Sequence, residues 1–261
     1  MFLSPEIKAD LDLIRSCVSQ SHTIAKEEKN LSGFRYLDDH FRHDLSAMRS
    51  VKVAAEINRY VTQGRLLDWG CGYGQISYFL KKWNPHLEIY PYDIVDIPCW
   101  RVLLNDSGIR YYRGNDPIKI PFPDSYFNYI INVGTLEHVE DEKASIREIY
   151  RVLEKGGLFF SFLIPNKLSY TEYIQKRLNP SYVHPRKYSM EEIKNILRTN
   201  GFNVLICEYD YMLPYMLCGM PKIVKDIFDF SGNLIISADK LLVKIPILKT
   251  LSSNLKIIGE K

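Results

Sequence analysis

The sequence predicts an α/β fold, with a mostly parallel central sheet flanked by helices. From Arg65 onward, short apolar runs alternate with stretches of helical periodicity, which is typical of strands joined by crossover helices. A glycine-rich loop follows the first of these runs and leads into a helix. The 261 residues include 46% hydrophobic and 25% charged side chains, the proportions of an ordinary globular protein.

Two helices are predicted before the alternating region. Ile7, Leu11, Ile14 and Val18 recur at steps of three and four residues, which places them on one apolar helix face. A second stretch of the same kind runs from about Leu45 to Tyr60. We expect these helices to form an N-terminal cap on the sheet.

The core is predicted to contain five strands and three helices. The strands are Arg65–Trp69, Leu87–Tyr92, Ile109–Tyr112, Tyr126–Val133 and Leu158–Leu163. The helices are Gln75–Trp83, about Pro98–Asn105 and Glu142–Leu153. We expect Gly156 and Gly157 to end the last helix, because glycine commonly terminates helices.

The remainder is less regular. Ser189 is expected to cap a helix that Gly201 closes. Later elements are a strand at Phe202–Tyr209, mixed helices from Asp210 to about Thr250, and a last strand at Leu255–Gly259. We interpret the chain as one domain with a cap over residues 1–62, a core over 63–165 and a C-terminal elaboration over 166–261.

The charge is nearly balanced, since 34 Lys and Arg side chains against 31 Asp and Glu give a net charge of +3. With no dense basic stripe, this balance argues against a nucleic-acid partner. The five cysteines form no Cys-x-x-Cys pair and are too scattered for zinc, so we expect no metal and a reducing compartment. Because no signal peptide or membrane-spanning run is recognisable, we expect a cytoplasmic protein.

The most informative segment is the loop Asp68-Trp69-Gly70-Cys71-Gly72-Tyr73-Gly74, with glycine at every second position. Such a loop makes a tight turn and lets a ligand lie against bare backbone at a helix start. The dinucleotide pattern Gly-x-Gly-x-x-Gly fails, because its third glycine would fall at Gln75. The nucleoside-triphosphate loop fails as well, because no Gly-Lys-Ser/Thr follows.

Further motifs lie at the ends of the predicted strands. They are Asp93 after the second strand, Gly114-Asn115-Asp116 before Ile120-Pro121-Phe122, Thr135-Leu136-Glu137-His138-Val139 after the fourth, and Tyr150-Arg151-Val152-Leu153-Glu154-Lys155-Gly156-Gly157. With the glycine loop, this ordered series resembles the class I S-adenosylmethionine-dependent methyltransferases, in particular their type 11-like small-molecule branch. The resemblance covers roughly Leu66 to Asn166. One departure is Asn128, where the family usually carries Asp.

The resemblance implies a Rossmann-like class I methyltransferase fold and S-adenosyl-L-methionine as cofactor. It implies that Asp93 binds the ribose hydroxyls and Asp116 the adenine amino group. The alternatives are a helix N-cap for Asp93 and turn formation for Asp116, and simple turn stabilisation for Asp68. The predicted cofactor contacts are Asp68, Gly70, Cys71, Gly72, Tyr73, Gly74, Asp93, Ile94, Asn115, Asp116 and Asn132.

Two histidines are candidate catalytic residues, namely His138 after the fourth strand and His184 in the loop before the late helix. A neutral imidazole can take a proton near pH 7, but methyl transfer needs a base only when the acceptor arrives protonated. The alternative for both is a structural histidine bonded to backbone. The family's sulfonium cofactor favours aromatic faces over a bound metal.

Acceptor specificity is expected from the cap, with Phe34, Arg35 and Tyr36 as contacts, and from the acceptor-side region 166–261. The expected acceptor is a small molecule, a sugar or a lipid-linked intermediate, methylated on oxygen. Two other functions remain open: a non-catalytic cofactor-binding module and, with less support, a nucleic-acid methyltransferase. The apolar tract Tyr211–Leu251 could also contact a membrane, but its amphipathic pattern is unclear and we do not expect this. The oligomeric state is not predicted.

Overall fold

The computed structural model describes residues 4–27, 41, 43–95, 103–104, 107–178, 184–215 and 221–261. Some sequence-based predictions fall outside these ranges. They are the cap contacts Phe34, Arg35 and Tyr36 and most of the helix expected over Pro98–Asn105. In the part of the chain that is described, no helix is both long and apolar enough to cross a membrane.

The elements follow each other in the predicted order. The strands are β1 (Gly64–Trp69), β2 (Leu87–Asp93), β3 (Tyr112–Arg113), β4 (Phe127–Val133), β5 (Leu153–Pro165), β6 (Asn203–Asp210) and β7 (Asn254–Glu260). The helices are α1 (Pro5–Glu27), α2 (Asp44–Ile57), α3 (Gln75–Trp83), α4 (Glu142–Val152), α5 (Tyr170–Leu178), α6 (Met190–Thr199), α7 (Lys222–Phe230) and α8 (Gly232–Leu242), with a short 3₁₀ helix at Leu248–Leu251.

The strands form one sheet in the order β3-β2-β1-β4-β5-β7-β6. Strands β1 to β5 are parallel, and β7 is antiparallel to both of its neighbours. The chain leaves β1 toward β2 and later returns to β1's other side as β4. Open α/β sheets bind ligands where the strand order reverses in this way, at the carboxyl ends of the strands. The predicted fold class is confirmed.

Both faces of the sheet are covered, which explains why its central strands are apolar at nearly every position. On β1, Leu66 faces a core shared with α1, α2 and α3, whereas Leu67 faces a core shared with α4 and α6. Both side chains are fully buried. The N-terminal helices therefore belong to the main core and fix the position of the residues that they carry.

Two polar anchors hold the N-terminal helices. On α1, buried Asp10 accepts hydrogen bonds from Tyr78 Oη at 2.8 Å and Lys82 Nζ at 2.7 Å, both on α3. At the start of α2, the carboxylate of Asp229 on α7 accepts from the backbone N–H of Leu45 at 2.8 Å. This carboxylate, 184 residues further along the chain, supplies the cap that α2 lacks at its own N-terminus.

The glycine stop expected after α4, the start of β5 expected at Leu158 and the length of the third strand differ from the structure. Helix α4 ends at Val152 rather than at the Gly156-Gly157 pair, because Leu153 turns to extended backbone and pairs with Phe127 on β4. Gly156 instead lies inside β5 with φ of +78°. The third strand is only Tyr112–Arg113, because these two residues alone pair with the end of β2.

Arg151 links two of the motifs that the sequence analysis singled out. Its guanidinium donates to the carbonyl oxygens of Ile120 at 2.9 Å and Phe122 at 3.0 Å. It also pairs with Glu148 and Asp124, each at 2.6 Å. The Arg-Val-Leu segment therefore holds the Ile-Pro-Phe loop against the end of α4, which gives both motifs a structural role.

We predict that Arg151→Lys lowers the free energy of unfolding by about 1–3 kcal/mol, because an ammonium group cannot satisfy this forked set of acceptors. Urea denaturation measures the change. Arg147→Lys, an exposed substitution on the same helix, is the matched control and should be nearly neutral. An equal loss in the two variants would contradict the role assigned to Arg151.

Candidate functional site

The glycine loop between β1 and α3 is built at the point where the strand order reverses. Gly70 has φ of +74°, and a Cβ there would lie 2.3 Å from the side chain of Thr135 after β4. Gly72 has φ of +54° and would place a Cβ in open space. Gly70 is thus required by packing as well as conformation, whereas Gly72 leaves bare backbone facing an open region.

Asp93 at the end of β2 holds this loop in place. Its Oδ2 accepts from the N–H of Gly72 at 2.9 Å, and its Oδ1 accepts from the N–H of Val95 at 3.0 Å. Burial raises the pKa of Asp93, although these backbone hydrogen bonds oppose the rise. Each carboxylate oxygen has a second lone pair, so the group retains acceptor capacity for a ligand.

Asp68 is buried behind the loop and contacts the following helix. It accepts a hydrogen bond from Ser77 Oγ on α3 at 2.7 Å. Burial raises its pKa to about 7, and the neighbouring Asp93 contributes to the rise. In the structure Asp68 ties β1 to α3, which agrees with the turn-stabilising alternative, and Ser77 is a partner that the sequence analysis missed.

The predicted adenine-side residues lie beside the end of β2. The N–H of Gly114 donates to the carbonyl of Asp93 at 2.8 Å, which brings Asn115 and Asp116 next to that strand end. Asp116 Oδ1 accepts from the N–H groups of Ile118 and Lys119, both at 2.8 Å, and these bonds lower its pKa. In this structure the carboxylate of Asp116 therefore stabilises the turn that runs to Lys119. Ile94 exposes 45% of its surface directly after Asp93.

A cavity lies beside the glycine loop, and residues from well-separated parts of the chain line it. Its lining residues are Arg49, Ser50, Asp68, Gly70, Cys71, Gly72, Tyr73, Gln75, Ile76, Val133, Gly134, Glu137, His138, Leu163 and His184. Most of the predicted loop contacts are thus brought together, along with both candidate histidines. Gln75 Oε1 is buried in this lining with no hydrogen-bond partner among the described residues, so it is available to a ligand.

Asn132 lies outside the cavity, whereas Cys71 and Tyr73 line it but are themselves buried. Asn132 is on β4 opposite Ser161 of β5. Its amide has no hydrogen-bond partner among the described residues. Cys71 is buried in the loop, and burial raises the pKa of its thiol. Tyr73 packs edge-to-face on Phe41 with ring centroids 6.3 Å apart.

The two candidate histidines are neighbours, with ring centroids 6.1 Å apart. His184 Nδ1 lies 2.6 Å from Glu172 Oε1 on α5. Burial opposes ionisation of Glu172, but the hydrogen bond and charge of His184, together with Lys187, outweigh it and lower the pKa of this carboxyl. Burial and His184 lower the pKa of His138, which favours a neutral imidazole there.

Glu137 is a residue of the cavity to which the sequence analysis assigned no role. It is 3% exposed, and burial raises its pKa to about 7 despite the nearby His184 and Arg49. Its Oε1 lies 3.9 Å from His138 Nε2, which is too far for a hydrogen bond. The only signal in the sequence was an acid placed directly before His138 at the end of β4.

Comparison with known proteins shows to which family the chain is similar. A model described as "Methyltransferase domain" matches residues 40–206. A probable S-adenosylmethionine-dependent methyltransferase of Mycolicibacterium smegmatis is 28% identical over 139 residues, which are 53% of this chain and 52% of that protein. Phosphoethanolamine N-methyltransferase 3 of Arabidopsis thaliana is 25% identical over 155 residues, 55% of this chain and 30% of that protein. The chain therefore matches about half or less of the length of these relatives.

The fold has solved counterparts. A crystal structure of an S-adenosylmethionine-dependent methyltransferase from Thermotoga maritima superimposes with a TM-score of 0.57 at 19% identity. The alignment covers 92% of this chain and 97% of the other. At this identity the likeness supports the fold alone.

We predict that Asp68→Asn makes stability less dependent on pH. Because the pKa of Asp68 is raised to about 7, the unfolded state releases this proton first, and the carboxyl destabilises the fold increasingly from pH 4 to 7. In Asp68→Asn the free energy of unfolding should therefore fall less between pH 4 and 7, by up to about 4 kcal/mol. Urea denaturation across this pH range measures the difference.

Asp116→Asn is the matched control with the opposite sign. The lowered pKa of Asp116 means that its carboxylate stabilises the fold above the ordinary aspartate pKa, and that this stabilisation is lost on acidification. Its variant should therefore differ from the parent at neutral pH and converge with it in acid. Parallel stability curves for Asp68→Asn and the parent would contradict the assignment.

Proposed function

The chain belongs to the methyltransferase-domain family, and we propose that it methylates a small-molecule, sugar or lipid-linked acceptor whose oxygen or nitrogen arrives protonated. The observation that carries this proposal is His184, which lines the cavity beside the glycine loop while its Nδ1 is bonded to Glu172 behind it on α5. The family's cofactor is S-adenosylmethionine. When bound, it supplies an electrophilic methyl group on a sulfonium.

The loop residues fit this cofactor. Bare backbone at Gly72, the uncapped start of α3 and the unpartnered Gln75 Oε1 provide sites for an amino-acid group. Asp93 would hold the ribose through the lone pairs not used by Gly72 and Val95. Exposed Ile94 and the neighbouring Asn115 and Asp116 would border the adenine.

His184 is the general base in this proposal. Its Nδ1 is bonded to Glu172, so the carboxylate fixes the ring and favours the tautomer whose Nε2 accepts a proton. His138 has no carboxylate of the described residues within hydrogen-bond distance and is proposed to contact the acceptor as a neutral imidazole. The rest of the rate comes from holding the acceptor in line and excluding water.

The same residues favour an alcohol oxygen or an amine nitrogen as the accepting atom. A base is useful for an alcohol or a protonated amine, and both fit a cavity with several titratable groups. The Arabidopsis relative is named an N-methyltransferase, which supports nitrogen alongside the oxygen that the sequence analysis expected. A cytoplasmic location remains a proposal.

We predict that Asp93→Ala weakens binding of S-adenosylmethionine about 10- to 100-fold, because charge-assisted hydrogen bonds are lost together with support for Gly72. Isothermal calorimetry measures the affinity, with circular dichroism as the folding check. Asp12→Ala, an exposed acid on α1, is the control and should bind normally. Absence of binding by the parent protein would overturn the proposed function.

We predict that His184→Gln lowers the methylation rate about 10²- to 10³-fold at saturating cofactor, measured as S-adenosylhomocysteine formed with an acceptor library. Glu172→Gln should lower the rate about tenfold with KM for the acceptor nearly unchanged, because a neutral amide holds and polarises the imidazole less than the carboxylate does. His86→Gln, an exposed histidine before β2, should leave the rate unchanged. An unchanged rate in Glu172→Gln would reduce the pair to a structural contact.

A further inference from the structure

Helices α7 and α8 carry large apolar side chains that the fold leaves in solvent. The exposed fractions are 69% for Ile223, 60% for Ile227, 94% for Phe230, 72% for Leu234 and 67% for Leu241. We call these five residues the apolar stripe. Single exposed apolar residues are ordinary, but a series of them on consecutive helices marks an interaction surface.

The stripe has the spacing of one helix face. Its members follow one another at steps of four, three, four and seven residues. Backbone hydrogen bonds continue across the junction of the two helices, from the N–H of Ser231 to Ile227 O and from the N–H of Ile235 to Ser231 O, both at 3.0 Å. Phe230 and Leu234 therefore lie about one turn apart, and the stripe passes from α7 to α8.

Both helices pack against the protein through other side chains. The stripe is therefore a second, outer face of these helices. Phe228 packs against the small core of Tyr211, Tyr215 and Ile235. Asp229 on α7 caps α2. These contacts fix the helices to the protein and leave the stripe on the outside.

The charge around the stripe is positive. Residues 221–251 contain five lysines, Lys222, Lys225, Lys240, Lys244 and Lys249, and three aspartates. Two aspartates are turned inward, because Asp229 caps α2 and Asp239 is only 1% exposed. The third, Asp226, pairs with Lys222 at 2.8 Å.

A basic cleft adjoins the same helices. Its lining contains Lys240 of α8 together with Lys52, Arg59, Lys256 and Glu56. Lys52 pairs with Asp210 and Lys256 with Glu56, so Arg59 and Lys240 carry the excess positive charge. The cavity measures about 370 Å³. The surface beside the stripe therefore favours an anionic partner.

We propose that α7 and α8 form a membrane-interface surface that binds bilayers with anionic headgroups. The stripe inserts at the boundary between headgroups and acyl chains, while the lysines contact the lipid phosphates. An apolar face rimmed by lysines fits a lipid surface better than a second copy of this chain, because two copies of the rim would repel each other. The proposal is independent of the proposed enzymatic function.

The test is sedimentation of the full chain with phosphatidylcholine vesicles, with and without phosphatidylglycerol and in the absence of cofactor. We expect binding to the anionic vesicles, weakened by high salt. Phe230→Ser and Ile227→Ser should each lower the partition coefficient about tenfold or more, because each removes a buried apolar side chain. Leu13→Ser, at an exposed apolar residue on α1 that is not a member of the stripe, should bind as the parent does.

The electrostatic part has its own variants. Lys240→Gln and Lys244→Gln should each lower binding to anionic vesicles about fivefold, whereas Lys143→Gln on α4 should not. Phe230→Trp keeps an apolar side chain at the centre of the stripe, so it should retain binding and give a blue-shifted emission on vesicles beyond that of the parent's own tryptophans.

Three results would overturn the proposal. One is absence of vesicle binding by the parent chain, and another is unchanged binding in Phe230→Ser with the fold intact by circular dichroism. The third is a concentration-dependent dimer in analytical ultracentrifugation that Phe230→Ser dissociates, because the stripe would then be an interface between copies. Cofactor binding and methylation are measured without vesicles, so failure here leaves the proposed function unaffected.

Discussion

The site depends on the hydrogen bond between the carboxylate of Asp93 and the N–H of Gly72. It joins the end of β2 to the glycine loop after β1, at the edge of the sheet where the chain changes direction. Two backbone bonds from the loop, the N–H groups of Gly70 and Cys71 to Tyr92 O, run alongside it. With the loop fixed on β2 and on Thr135 after β4, its bare backbone can present one surface to a ligand without first being ordered by it.

Several carboxyl groups at the site are buried from solvent. Burial raises the pKa of Asp68 and of Glu137 to about 7, so the cavity carries less negative charge near neutral pH than its composition suggests. Reduced negative charge opposes binding of a metal ion but suits groups that exchange protons near pH 7. The stability lost by burying these carboxyls is consistent with a binding site, where strain of this kind is commonly concentrated.

Local patterns in the sequence predict much of the fold. Helix α3 has the predicted limits, and Ser189 forms the expected cap with its partner Glu192. Prediction fails where a distant partner decides the outcome. Pairing with Phe127 draws Leu153 into β5 and ends α4 before its glycines. No local pattern could have matched Asp229 with α2, or Glu172 with His184, because the fold alone brings these residues together.

The same long-range contacts connect the two surfaces for which functions are proposed. Arg49 and Ser50 of α2 line the cavity beside the glycine loop, and Lys52 of the same helix and Arg59, just after its end, line the basic cleft beside α8. The helix starts on the carboxylate of Asp229, whose own helix carries part of the apolar stripe. Because the rest of α2 is packed in the main core, a displacement of α7 would act first on the N-terminus of α2. The apolar stripe and the cavity beside the glycine loop are therefore connected through this one helix.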